Sequence, residues 1–181
     1  TNEINRLTAI LNMLERAGKG KLPLARAGAA LAAQLEEGSA EELPDEKLAA
    51  QAELVNAMKK MFFVAGGRVL EKFPVREKIV AQQEILRRLS DMLILMYLSE
   101  SGLLRVKEHG GEIQEAIVKL YVQNAAMECE KLAKEVLAYL EEGDMLKSYL
   151  GRLKRLARPL ANNLLDPVTL QRKIGDKLIE Q

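Results

Sequence analysis

The sequence predicts an all-α fold, an antiparallel helical bundle with no sheet, on three observations. Apolar residues recur every three or four positions through most of the chain, and no segment alternates with the period of two that a half-buried strand requires. Ala and Leu are abundant while aromatics make up only 4% of residues and Trp is absent. That balance favours helix, because straight-chain residues and Ala lose least on entering one, whereas sheets select β-branched and aromatic side chains. Finally, the stretch 92–98 (Met-Leu-Ile-Leu-Met-Tyr-Leu) is apolar on every side, and a helix without a polar face must be surrounded by other elements. The bundle is therefore expected to be built around a long central helix over about 75–108.

The first helix is expected over 2–17, where Ile4, Leu7, Leu11 and Leu14 form a stripe and Thr1 or Asn2 is available as cap. Gly18-Lys19-Gly20 ends it. A shorter helix follows over about 24–37, with Pro23 acceptable at its first turn. Residues 36–45 are acidic, contain Gly and Pro and show no period, so they read as a linker with the boundary over 37–44. Asp45 then caps a helix to about Lys72 that buries Leu48, Leu54 or Val55, Met58, Phe62, Ala65 and Val69. Gly66-Gly67 inside it costs roughly 1 kcal/mol per glycine relative to Ala, so a kink or a close backbone neighbour is expected there.

The central helix starts after Pro74 and spans about 50 Å at 1.5 Å per residue before His109-Gly110-Gly111 stops it. The next, over 112–142, carries Ile113, Ile117, Leu120, Asn124 and Met127 on one stripe, so Asn124 needs a partner if that stripe is buried. After Gly143, Asp144 caps a helix to Arg158 that Pro159 stops. Asp166-Pro167, a cap followed by a first-turn proline, announces a last helix to about 179.

A formal net charge of +1 gives no global field for nucleic acid. A single cysteine, Cys129, excludes an intramolecular disulfide. With one histidine, His109, and one cysteine, neither a His/Cys metal site nor the Glu-x-x-His pairs of a dinuclear helical site can be assembled. His109 reads as a helix-end residue and Cys129 as a core filler. Neither a dinucleotide fingerprint nor a P-loop occurs. Asp91, one turn after Arg87 and Arg88, has the spacing of an ordinary helix ion pair. One local patch stands out over 146–160. Leu146, Leu150, Leu153, Leu156 and Leu160 form an apolar stripe, while Lys147, Arg152, Lys154, Arg155 and Arg158 add five positive charges. Such a helix suits an anionic membrane surface or an acidic partner; alternatively the stripe faces the core and the charges are solvated.

Thr1-Asn2-Glu3-Ile4-Asn5-Arg6 resembles the end of the motif Glu-Gly-Thr-x-Glu/Gln-Ile-x-Arg that acyl-CoA dehydrogenases carry near the end of their catalytic region. Leu11-x-x-Leu14-x-Arg16-Ala17-x-Lys19-Gly20-x-Leu22-Pro23-Leu24 is similar to the segment that follows in bacterial members with an extended helical C-terminus. Leu89-Ser90-Asp91-Met92-Leu93, Tyr97, Glu100-Ser101 and Leu103-Leu104-Arg105 resemble a helix of those extensions, as does the tail from Asp166 to Lys177.

The resemblance implies that residues 1–36 are the terminal helices of the dehydrogenase helical domain and 45–181 an appended C-terminal bundle of the very-long-chain type. In that family the glutamate before Gly-Thr removes the α-proton of the acyl-CoA while the β-hydrogen leaves as hydride to the flavin. The sequence opens on the motif's Thr, so the catalytic base is expected upstream and this chain is expected to be inactive alone. The family counterparts of Thr1, Asn2 and Glu3 border the flavin, so FAD belongs to the full-length parent and none is expected on this chain by itself. The implied partners are the upstream catalytic region, a second copy in a homodimer and a membrane surface, in a bacterial cytoplasmic setting. The competing reading is a free-standing helical adaptor module with a basic docking face.

Overall fold

The computed structural model describes residues 2–22 and 48–179. They form eight helices: α1 (Asn2–Gly18), α2 (Ala49–Lys72), α3 (Arg76–Val80), α4 (Gln83–His109), α5 (Glu112–Leu140), α6 (Gly143–Leu156), α7 (Arg158–Asn162) and α8 (Pro167–Ile179). No strand occurs among the described residues, as the patterning requires. The expected helix over 24–37, the linker over 37–44 and the Asp45 cap lie outside them.

Three long helices make the core. Helix α2 buries Leu54, Val55, Met58, Phe62, Ala65 and Val69, close to the set its period predicts. Helices α2 and α4 run antiparallel, since Lys59 reaches Glu100 while Gly66 faces Leu89. Helices α4 and α5 are also antiparallel, Arg88 pairing with Glu135 at one end and Gly102 abutting Val118 at the other. Because α5 then runs parallel to α2, Cys129 lies against Met58 and Arg68 against Glu141. Helix α5 is the hub. It touches α2, α4, α6, α7 and α8 and buries Val122, Ala126, Cys129, Ala133, Val136, Leu137 and Leu140.

Several expectations need correction. The rod over 75–108 is two helices, because the chain breaks at Ala81-Gln82 between α3 and α4. No glycine or proline marks that break. Tertiary contacts hold it: Ile79 is buried in the core and the Tyr139 hydroxyl of α5 donates to Gln82 Oε1 at 2.7 Å. The stretch 92–98 is not enclosed on every side, since Tyr97 and Leu98 are exposed. Gly66-Gly67 neither breaks α2 nor admits a neighbouring backbone, and a Cβ on Gly67 would meet nothing. On α1, Ile10 rather than Ile4 is the buried isoleucine. On α5 the expected stripe is the outer face, with Ile117, Asn124 and Met127 exposed, so the buried polar residue is the adjacent Gln123. Pro159 opens α7 as well as closing the run before it. The last helix begins as expected, Asp166 Oδ1 accepting the N–H groups of Val168 and Thr169.

Candidate functional site

The chain's first helix carries the motif residues, so its attachment is the first place to look for function. Thr1 lies outside the described residues, and Asn2 and Glu3 are placed by their backbone alone, in the first turn of α1. The helix is amphipathic because its apolar residues recur at helical spacing, and it lays Ile10 and Leu14 into the same core as α2, α4 and α5. Fully burying one such side chain is worth about 1.5–3 kcal/mol. Polar contacts fix the register. Ser90 Oγ on α4 donates to the Arg6 carbonyl at 2.8 Å, and the Arg6 guanidinium lies 3.4 Å from Asp91, which Arg87 also approaches at 3.9 Å. Asp91 is therefore more than a local helix pair; it joins two helices. The sequence held the signal in Ser90, a hydroxyl inside the buried series Leu86, Leu89, Met92, where a buried polar group demands a partner.

The second candidate is the basic helix α6. Its stripe turns inward: Leu153 and Leu156 are buried and Leu146 and Leu160 pack against the core. The five cations do not form one cluster. Lys147 pairs with Asp144 at 2.9 Å, and Arg152 stacks on the Tyr149 ring at 5.5 Å, while Lys154, Arg155 and Arg158 are exposed. Across the same ring, Arg68 of α2 sits 5.7 Å from the centroid and donates to Glu141 at 2.6 Å and Glu71 at 2.7 Å. These hydrogen bonds raise the guanidinium above its already high range and hold the Glu141 carboxyl below the usual one. The structural work of the region is to lock α6 onto the end of α2, and Arg68 was missed in the sequence because its partner is 73 residues away.

Other chemistry is sparse. Cys129 is fully buried, burial pushes its thiol up to about 12, and it is inert as a nucleophile. His109 is the exposed last residue of α4 beside Glu108. No group of three or more potential metal ligands occurs among the described residues, and no described helix is long and apolar enough to cross a membrane. A cleft of about 540 Å³ between α2, the end of α4 and the start of α5 has Val55, Leu103, Leu104 and Val106 on its walls, with Glu100 and Lys107 at its rim. Two carboxylates of its lining are engaged in ion pairs, Glu100 with Lys59 and Glu115 with Lys119, each at 2.6 Å.

Comparison with known proteins explains why a well-packed bundle carries so little chemistry. Residues 57–155 match the family model for the acyl-CoA dehydrogenase C-terminal domain. The chain belongs to the acyl-CoA dehydrogenase family. A probable acyl-CoA dehydrogenase of Bacillus subtilis (strain 168) is 34% identical over 172 residues, which cover 91% of this chain and 29% of that protein. The crystal structure of an acyl-CoA dehydrogenase complexed with FAD from Bacillus anthracis superposes with a TM-score of 0.89 at 34% identity, over 99% of this chain and 31% of that one. This chain therefore spans about a third of the length of the relatives it matches, and it is the C-terminal portion of the family.

Proposed function

We propose that the chain is the C-terminal helical part of a flavin-dependent acyl-CoA dehydrogenase, a parent that carries out α,β-dehydrogenation of a fatty acyl-CoA. The catalytic base and the flavin pocket lie upstream of Thr1. The work of this portion is mechanical: it anchors the helix that begins at the catalytic motif and docks on the catalytic region. One observation carries the reading. Helix α1, which starts in the motif remnant, is tied into the same core as the bundle through Ile10, Leu14 and the Ser90 and Asp91 contacts to Arg6.

The fit of a flavin to this chain is that of one edge only. Helix α1 turns the positive end of its dipole toward the motif, and Asn2 and Glu3 stand in that first turn, where an anionic group is favoured. Bound in the parent, FAD supplies the hydride acceptor. What α1 contributes is position, since a helix pinned at Ile10 and Leu14 cannot slide or rotate when acyl-CoA binds upstream. The division proposed is one of origin, with 1–36 belonging to the catalytic subunit's helical domain and 45–181 forming the appended bundle into whose core α1 reaches. FAD, homodimer formation and membrane attachment are properties of the parent. Leu146, Leu153 and Leu156 of the α6 stripe are used in the core, so any membrane contact here rests on the exposed cations Lys147, Lys154 and Arg155 of α6 and Arg158 of α7.

The test is made in the parent protein. Ser90→Ala combined with Asp91→Ala removes the two polar ties to Arg6 while leaving the apolar seat intact. The reading expects faster flavin loss and a lower kcat with the fold retained by circular dichroism. Unaltered flavin retention and kcat here and in an Ile10→Ala, Leu14→Ala parent that keeps its fold would show that the bundle does not position α1.

A further inference from the structure

The outer face of the α4–α5 pair has no partner among the described residues. Leu98, Ile117 and Met127 are 47%, 44% and 42% exposed, and Asn124 lies among them. Scattered exposed leucines need no explanation, but this set is ordered. On α5, Ile113, Ile117, Leu120, Asn124 and Met127 follow a four-three-four-three spacing, the pattern of a seam against another helix, with one polar residue of the kind that fixes register. The core of α5 is on the opposite stripe, so this seam is a second one.

The face is continuous with an interface already present. Asp91, Leu98 and Arg105 stand seven residues apart, which is two helical turns, and so share one line along α4. Asp91 is where Arg6 of α1 docks. Beyond it the same line passes to exposed Leu98 and Arg105. Gly102 lets α4 come within 3.4 Å of Val118 on α5, measured from where its Cβ would stand, so the outer faces of the two helices merge into one surface. Roughly 70% of the length of these relatives lies outside the part this chain covers.

We infer that the outer face of α4–α5, centred on Leu98, Ile117, Asn124 and Met127, is the seat of the upstream catalytic region of the same polypeptide, which enters through α1. The inference rests on the reading of this chain as the C-terminal part of a longer dehydrogenase. It requires of the occupant a helix with an apolar seam and one hydrogen-bonding side chain opposite Asn124.

Thiol labelling of single-cysteine reporters, resolved by peptide mass, tests it. Cys129 stays silent because it is buried. Met127→Cys labels quickly in the 181-residue chain and about tenfold or more slowly in the parent, where it reacts only from a minor undocked population. Ala138→Cys, exposed near the C-terminal end of α5, labels alike in both. Equal labelling of Met127→Cys in both, with Lys154→Cys slowed in the parent, places the docking on α6 and overturns the face while sparing the parent reading. If neither is slowed, the face is overturned while the parent reading, carried by the family match, stands. Slow labelling of Met127→Cys already in the 181-residue chain, with a doubled sedimentation mass that Ile117→Lys halves, makes the face a self-interface and also overturns the inference.

Discussion

Gln123 is the one long polar side chain that α5 sends into the core, at 1% exposure. Its amide makes two hydrogen bonds to a single residue: Oε1 accepts the Leu165 N–H at 2.6 Å and Nε2 donates to the Leu165 carbonyl at 3.2 Å. In effect it is a one-residue strand partner for the connection between α7 and α8. Helix α8 buries no residue fully, so this clamp and the Lys173–Glu112 pair help to orient it where it packs along α5. Replacing Gln123 by Leu keeps the volume and strands both backbone groups of Leu165. At a net 0.5–1.5 kcal/mol per hydrogen bond the loss is about 1–3 kcal/mol. For a chain of this size that is a fall in Tm of roughly 2–12 °C. The sharper assay is amide hydrogen exchange, because the loss should be concentrated in 163–179 while the core amides of α2 and α5 follow the global change. A Gln123→Leu protein whose α8 exchanges no faster than wild type would refute the clamp. Asn124→Leu, one residue along and exposed, should change the stability of the 181-residue chain by less than about 0.5 kcal/mol.

Further outcomes follow from the same packing. Gly67→Ala adds a methyl where nothing lies within 4 Å and removes a mid-helix glycine, so urea denaturation should show a gain of about 0.5–1 kcal/mol. The Cys129 thiol, pushed up to about 12 by burial, should resist a thiol reagent at neutral pH in the folded chain and react at once in denaturant; fast reaction under native conditions would place it elsewhere. Glu141 is held below its ordinary value of 4.5, first by its hydrogen bond from Arg68. A carboxyl with a depressed folded-state pKa contributes stability above its unfolded value, and that contribution is lost as pH falls through the folded one. Wild type should therefore melt well above Glu141→Gln at pH 7, with the gap closing below about pH 4. A gap that is constant with pH would contradict the pairing.

The all-α class was legible because period and composition agree along the chain, and α2 and α8 fall close to where Leu54 to Val69 and Asp166-Pro167 put them, whereas Asp144, expected as a cap, sits inside the first turn of α6, which opens at Gly143 after Glu142. Two errors share a physical origin. Helix α5 has apolar residues on two stripes, Ile113 to Met127 outside and Val122 to Leu140 inside, and periodicity cannot rank them. The choice is made by α2 and α4, whose positions are tertiary information. The break at Ala81-Gln82 was invisible for the same reason, since Tyr139 holds it from 57 residues away. At the candidate site the motif remnant was readable in six residues, but its anchoring at Ser90 and Asp91 joins residues 84 apart and could only be seen folded. Of the five expected cations, the sequence could not separate Lys147 and Arg152, which have local partners, from the other three.

The central claim is that the chemistry of the parent lies upstream and that this portion contributes structure. The direct measurement is flavin content and acyl-CoA-dependent reduction of an electron acceptor, made side by side on the 181-residue chain and on the parent. The account predicts a colourless, inactive chain and a yellow, active parent. Stoichiometric flavin on the 181-residue chain, or acyl-CoA-dependent turnover by it, would contradict the account.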